Sequence, residues 1–318
     1  MTRSFLFSSV ALGFTLIPAF AEVPRVATDI PVVQSLTAMV MGSLGQPVVL
    51  MDAGADAHDY QLRPSQAAAL EEADLLVWVG PEMTPWLERP AAARAKGSTL
   101  ALLADPGTQR RFYETAESET AAEHEAEGHA DHEGQADAHA GHDHQGTDPH
   151  AWLDPTNAVI WVDAIANALA ARDPENADTY RANAATAEKT LAALDADLSA
   201  RLAPAKGKPL ILGHDAYGYL AEHYGLTVAG TIATGDATSP GAARLAALNA
   251  LVAKSGAACF LPDVGQSDNI VQVLTKDSPL RVGRALDPEG RAQAPGAALY
   301  PALMTEIAGA IADCVTAP

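Results

Sequence analysis

The chain reads as an α/β protein built of two parallel-sheet α/β lobes joined by one long spine helix, and three observations carry that reading. Short apolar runs alternate with helical spacings in both halves, the grammar of βα units whose strands must run parallel. Between the halves lies a single apolar stripe, Tyr180, Ala184, Ala187, Leu191, Leu194, Leu198 and Leu202, at spacings of three and four. The length of 318 residues exceeds what one core usually organises.

In order, residues 23–29 read as a strand and 32–41 as a helix. Residues 47–52 are a nearly all-apolar strand, as expected where both faces are covered. A loop follows, then Pro64 at the first position of a helix that runs to Glu72. A strand over 75–79, a helix around Trp86 and a strand over 99–103 complete the first sheet. Helices are expected over 155–172 and, after Asp173-Pro174, over 174–202. At about 1.5 Å per residue the second would be roughly 40 Å long, enough to span a domain. Pro204 and Gly207 end it. The second half repeats the pattern: strands over 208–213, 226–231, 257–262 and 281–286, and helices over 217–224, 242–254, from Asn269, and over 301–315. Domain limits follow: 1–21 leader, 22–155 first lobe, 156–203 helical connection, 204–318 second lobe.

Two segments stand outside this pattern. Arg3, an apolar run from Phe5 to Phe20 and the small residues of Ala19-Phe20-Ala21 form a secretory signal, with the mature chain starting near Glu22. Ser8, Ser9 and Pro18 interrupt the run, which is short for a membrane anchor. Residues 114–148 are mostly His, Asp, Glu, Ala and Gly. They cannot bury enough surface to offset their ordering entropy, so a mobile loop is expected.

A formal charge of −20 argues against nucleic acid and anionic lipid as partners, which demand clustered Lys and Arg; it suits a cation binder and equally serves to keep the chain soluble. In an oxidising compartment the even pair Cys259 and Cys314 favours one disulfide over two buried thiols.

The ten histidines divide. His124, His129, His132, His139, His142 and His144 lie in the acidic loop, where they could hold metal only as a mobile auxiliary set. His223 lies inside a helix and reads as a packing or surface residue. His58 and His214 follow strands, at the carboxyl ends where open α/β sheets place ligands. His150 sits in Thr147-Asp-Pro-His150-Ala-Trp-Leu-Asp-Pro155, where order resumes. Asp287 also follows a strand, and is equally readable as a turn or capping residue. Three imidazoles plus a carboxylate or water make a tetrahedral set suited to Zn²⁺ in the cleft between lobes. Asp59, Asp154 and Asp215 are candidates to orient those imidazoles, and are equally plausible as capping residues.

Four motifs carry a resemblance that covers the mature chain: His58-Asp-Tyr-Gln-Leu-Arg-Pro-Ser65, Ala73-Asp-Leu-Leu-Val-Trp-Val-Gly-Pro-Glu-Met83, Asp148-Pro-His-Ala-Trp-Leu-Asp-Pro155 and Gly213-His-Asp-Ala-Tyr-Gly-Tyr219. In these the chain resembles the metal-specific, cluster A-I solute-binding proteins of ABC transporters, and its zinc-uptake members above all. The resemblance implies metal ligands at His58, His150 and His214, with Asp287 at the family's C-terminal aspartate. It also implies two lobes bridged by a rigid helix and a disulfide between Cys259 and Cys314. A His- and acid-rich insertion before the second ligand is typical of zinc members. Manganese-specific relatives usually carry a carboxylate where His214 stands, and imidazole suits zinc better than manganese. Some zinc members have Glu before the first histidine. Here that position is Ala57, which leaves the fourth site to Asp287 or water.

The function so implied is capture of Zn²⁺ in the periplasm by a monomer that delivers it to an inner-membrane ABC permease with its ATPase. Periplasmic zinc metallochaperones are further partners this allows. Metal and proton would compete for the same nitrogens, so binding is expected to weaken below about pH 6. The alternatives are a manganese-binding or adhesin-type relative and a secreted zinc hydrolase. For the hydrolase, no His-Glu-x-x-His and no convincing general base are present. For the adhesin, no cysteine lies at the cleavage site to carry a lipid.

Overall fold

The structure is a computed structural model that describes residues 22–113, 146–233, 242–257, 259–276, 278 and 280–317. The expected leader and the six histidines of the acidic segment lie outside the described residues. In the first lobe, β1 (Val26–Thr28), α1 (Pro31–Met41), β2 (Val48–Val49), α2 (Pro64–Glu72), β3 (Leu75–Trp78), α3 (Pro85–Ala93) and β4 (Ser98–Ala101) form a parallel sheet of order β2-β1-β3-β4. Two helices follow, α4 (Pro155–Arg172) and α5 (Ala177–Leu202). The second lobe comprises β5 (Pro209–Leu212), α6 (Gly218–Tyr224), β6 (Thr227–Thr231), α7 (Ala242–Ser255), β7 (Cys259–Leu261), α8 (Asp268–Thr275), β8 (Arg281–Val282) and α9 (Leu299–Thr316). Its sheet is again parallel, of order β6-β5-β7-β8.

The two sheets thus share one topology. In each, the first strand lies between the second and the third, so the chain leaves it in opposite directions and a crevice opens above the carboxyl ends. That crevice is where β5 and β7 place their next residues.

Regular strands are shorter than the apolar runs that predict them. β2 covers two residues of the run over 47–52. Pairing nevertheless continues, with the N–H groups of Leu50 and Met51 donating to the carbonyls of Thr28 and Asp29 at 2.8 and 3.2 Å. After β8, Leu286 still bridges Asp263.

The spine helix starts later than expected. Pro174–Asn176 form a 3-10 turn, with the Asp173 carboxylate accepting from Asn176 N–H at 3.3 Å, and α5 then runs for 26 residues, about 39 Å. Its predicted stripe is buried, Leu194 only in part. α1 is buried almost all round, Gln34, Ser35 and Thr37 included, because α4, α5 and α9 cover it. At its end Gly42 has φ +57°, and a Cβ there would meet the Asn183 side chain of α5 at 2.6 Å. That amide holds the Val40 carbonyl at 2.9 Å, so the glycine lets the spine dock.

One continuous core contains Val26 of β1, Trp152, Leu191 of the spine, Leu212 of β5 and Ile311 of α9, so the lobes share an interior. α9 belongs to both: Tyr300 N–H donates to Ser35 Oγ at 3.0 Å and Tyr300 hydroxyl to the Trp152 carbonyl at 2.8 Å. Cys259 and Cys314 form a disulfide between β7 and α9 with Cα atoms 6.0 Å apart. Among the described residues no helix is long and apolar enough to cross a membrane.

Asp29 closes β1 inside the first lobe. Its carboxylate accepts from Ile30 and Val79 N–H at 2.8 and 2.9 Å and from Thr84 hydroxyl at 3.3 Å. Burial raises its pKa from 3.8 to about 7, outweighing those hydrogen bonds. The folded state therefore holds a proton that the unfolded state has released. This contribution to stability is complete below pH 3.8 and is lost as pH rises to about 7. Between about pH 5 and pH 8 the native protein is expected to lose stability relative to Asp29→Asn by an amount on the order of a few kcal/mol. Parallel melting curves at the two pH values check it, and equal shifts for both proteins would refute the assignment.

Candidate metal centre

The Asp148-to-Pro155 motif resolves residue by residue. Asp148 is fully buried, so order begins inside the region expected to be mobile: Thr147 pairs with Phe112, and Asp148 Oδ1 accepts from both the N–H and Nδ1 of His150 at 3.0 Å. A carboxylate on Nδ1 favours the tautomer with the proton there, which turns the lone pair to Nε2 as the nitrogen suited to a metal. Trp152 is buried and donates its indole N–H to the Pro288 carbonyl of the second lobe at 2.8 Å. Asp154 caps α4 by accepting from Thr156 N–H at 2.8 Å, and Pro155 takes the first helical position.

His214 follows β5. Its Nδ1 bonds Asp263 Oδ2, and Asp263 Oδ1 accepts the Tyr217 hydroxyl at 2.7 Å. Asp263 follows β7, the strand beside β5. A Cβ on Gly213 would come within 2.7 Å of the Asp263 backbone nitrogen, so only glycine permits the approach. His58 lies in the loop between β2 and α2. Trp86 indole donates to the Ala57 carbonyl at 2.7 Å, Gln66 reaches Tyr60 and Asp52 at 2.7 and 3.1 Å, and Asp56 takes His58 N–H at 3.0 Å.

The His150 ring is the neighbour of both others. The His150 ring centroid lies 5.6 Å from that of His58 and 5.6 Å from that of His214. Three imidazoles at the usual Zn–N distance on a tetrahedral ion have centroids about 5 Å apart. Among the described residues no group of three His, Cys, Asp or Glu side chains is close enough as it stands to hold a metal ion. The centroid spacing is the more direct measure of whether these rings can reach one ion. Beside them opens a cleft of about 220 Å³ lined from both lobes, by Asp56 and His58 on one side and by His214, Asp263, Glu289 and Arg291 on the other.

The expected orienting carboxylates differ from those observed. Asp59 is exposed, Asp154 caps α4 and contacts His223, and Asp215 stands near Asp148, Arg111, His150 and His214 with its pKa raised chiefly by burial. Asp148 and Asp263 do the orienting instead. Asp148 was legible as the residue two before His150, whereas Asp263 needed the strand order. Asp287 turns both oxygens on its own loop, accepting from Arg291 and Ala292 N–H at 3.0 and 2.9 Å, and does not line the cleft. His223 is neither a plain surface nor an apolar packing residue. It bridges Asp154 of the first lobe and Asp195 of the spine at 3.1 and 2.8 Å.

Arg111 carries the His150 anchor across to the second lobe. Its guanidinium holds Asp148 Oδ2 at 3.1 Å and Glu222 at 3.0 Å, and the Tyr219 hydroxyl joins Arg111 N–H to the Asp148 carbonyl. Asp148→Asn keeps the shape but weakens this anchor and sets an amide against Arg111. It is expected to lower metal affinity about tenfold to a hundredfold. Chelator competition measures it, and unchanged affinity would show that Asp148 is not needed.

Two α/β lobes on one rigid helix, with carboxylate-anchored imidazoles gathered from both at the strand ends, define a metal-specific solute-binding protein. The chain belongs to the family described as ZnuA, zinc-uptake complex component A periplasmic, which matches residues 26–314. The high-affinity zinc uptake system protein ZnuA of Paracoccus denitrificans is 50% identical over 321 residues, covering 99% of this chain and 98% of that one. Its namesake in Brucella suis is 33% identical over 328 residues, 98% of each. In fold, a crystal structure of ZnuA superposes with a TM-score of 0.74 at 24% identity, over 92% of this chain and 100% of that one. The periplasmic zinc binding protein TroA of Treponema pallidum gives 0.73 at 18% identity, over 92% and 99%.

Proposed function

We propose that the protein is a high-affinity zinc-binding protein of the periplasm that hands Zn²⁺ to an inner-membrane ABC permease with its ATPase. The observation that carries this reading is the convergence of His58, His150 and His214, two of them held by Asp148 and Asp263. Neutral imidazoles favour zinc over manganese, and the carboxylates raise their basicity without occupying the metal. A fourth position goes to an oxygen donor from the turn containing Asp287 or to water. Export with cleavage near Ala21, the lobe limits read from the sequence and a monomeric state belong to the same reading. The family is one of transport, so no reaction is assigned to the site.

Purified mature protein, titrated against a zinc chelator and then with Mn²⁺, is expected to show one tight zinc site and weak manganese binding. Tighter manganese than zinc would sink this choice of metal. Cell fractionation tests the compartment.

A further inference from the structure

We propose that Glu289, not Asp287, supplies the fourth metal donor, making the site three imidazoles and one carboxylate. The inference rests on the three-histidine reading and deepens it.

The turn Leu286-Asp-Pro-Glu-Gly-Arg291 is fixed by hydrogen bonds at several points along its length. Leu286 N–H donates to the Pro262 carbonyl at 2.8 Å, and both Asp287 oxygens cap the N–H groups of Arg291 and Ala292. The Pro288 carbonyl takes the Trp152 indole at 2.8 Å, two residues beyond His150. The Arg291 carbonyl takes Gly54 N–H of the His58 loop at 3.1 Å. Gly290, at φ +74°, supplies the left-handed residue the turn needs. The turn is thereby wedged between the segments that carry His58 and His150.

The side chain presented there is Glu289. It is 3% exposed and lines the cleft with His58 and His214, and its Oε2 makes no hydrogen bond. Arg291 Nε lies 3.6 Å from that oxygen, close enough to offset charge and too far to occupy its lone pairs. After Arg291, the charges that bear most on it include His58, Asp56 and His150. Arg291 offsets part of the cost of burying this carboxylate, and a metal ion meeting the unbonded Oε2 would offset more. Asp287 is in the opposite condition, since coordination would strip two N–H groups of their acceptor.

The test uses full-length mature protein with Zn²⁺ as the probe. Chelator competition and zinc X-ray absorption are run on the native chain, Glu289→Gln, Glu289→Asp and Asp287→Asn, with metal-free melting curves to confirm folding. Glu289→Gln is expected to weaken zinc about tenfold to a hundredfold and to remove the carboxylate oxygen from the ion. Asp287→Asn is expected to keep both affinity and coordination. Glu289→Asp, one methylene shorter, is expected to fall between them. The proposal is overturned if Glu289→Gln binds zinc as the native protein does with the same oxygen present, or if that oxygen disappears in Asp287→Asn. His214→Ala is the separate control: native affinity in that variant would overturn the histidine site itself.

Discussion

Replacing His150 by alanine is expected to weaken zinc binding by a factor on the order of a hundred to a thousand. Structural zinc sites with four donors contribute about 10–16 kcal/mol, so each donor accounts for roughly 3 kcal/mol or more, and every 1.4 kcal/mol is tenfold. His150 carries further weight because its ring is central, 5.6 Å from each of the other two, and is buried. Its loss also deprives Asp148 Oδ1 of its ring partner, leaving Arg111 on the other oxygen. His214→Ala removes a ring that is 16% exposed and disturbs packing less, so a similar loss there would assign the effect to coordination rather than to collapse. Chelator competition gives the affinity, and metal-free melting separates binding from folding. Native affinity in both variants would refute the site.

Removing the disulfide is expected to have the largest effect on stability. Cys259 and Cys314 are 55 residues apart in sequence, and closing a loop of that size restricts the unfolded chain by about 4 kcal/mol. The bond ties the buried strand β7 to α9, which also packs on α1 and the spine, so loosening it reaches both lobes. Serine at both positions is expected to lower the melting temperature by roughly 10 °C. Zinc affinity is expected to change far less, because the cysteine side chains lie outside the cleft lining. A double-serine variant that melts with the native protein would refute the estimate.

Most elements were legible because their signals are local. Pro155–Arg172 and the stripe of the spine follow from a 3.6-residue period that needs no knowledge of neighbours. The three histidines were legible because each follows a strand or resumes an ordered motif, and the resemblance set them side by side. Strand ends were less so: apolar runs continue into pairing too irregular to count as strand, as at Leu50 and Met51.

The partners of the histidines lay beyond such reasoning in one case and within it in the other. Asp148 was absorbed into the acidic stretch before it, although its spacing to His150 suits a short local hydrogen bond. Asp263 is 49 residues from His214 and meets it only because β5 and β7 are adjacent. Likewise Asp287 and Glu289 are two acids of one turn. Which of them faces inward depends on Asp287 capping two backbone N–H groups and on Gly290 bending the chain.

From composition and periodicity alone came the helix and strand content and the expectations of an export signal, an acidic insertion and two lobes; with the family motifs came the family itself and the expectation that three ring nitrogens bind its zinc. The folded chain decided which carboxylates hold those rings, where Asp287 turns, and that Glu289 enters the cleft. The division is physical: periodicity and local motifs are written along the chain, whereas a hydrogen bond between distant side chains exists only after parallel strands have been ordered and packed beside one another.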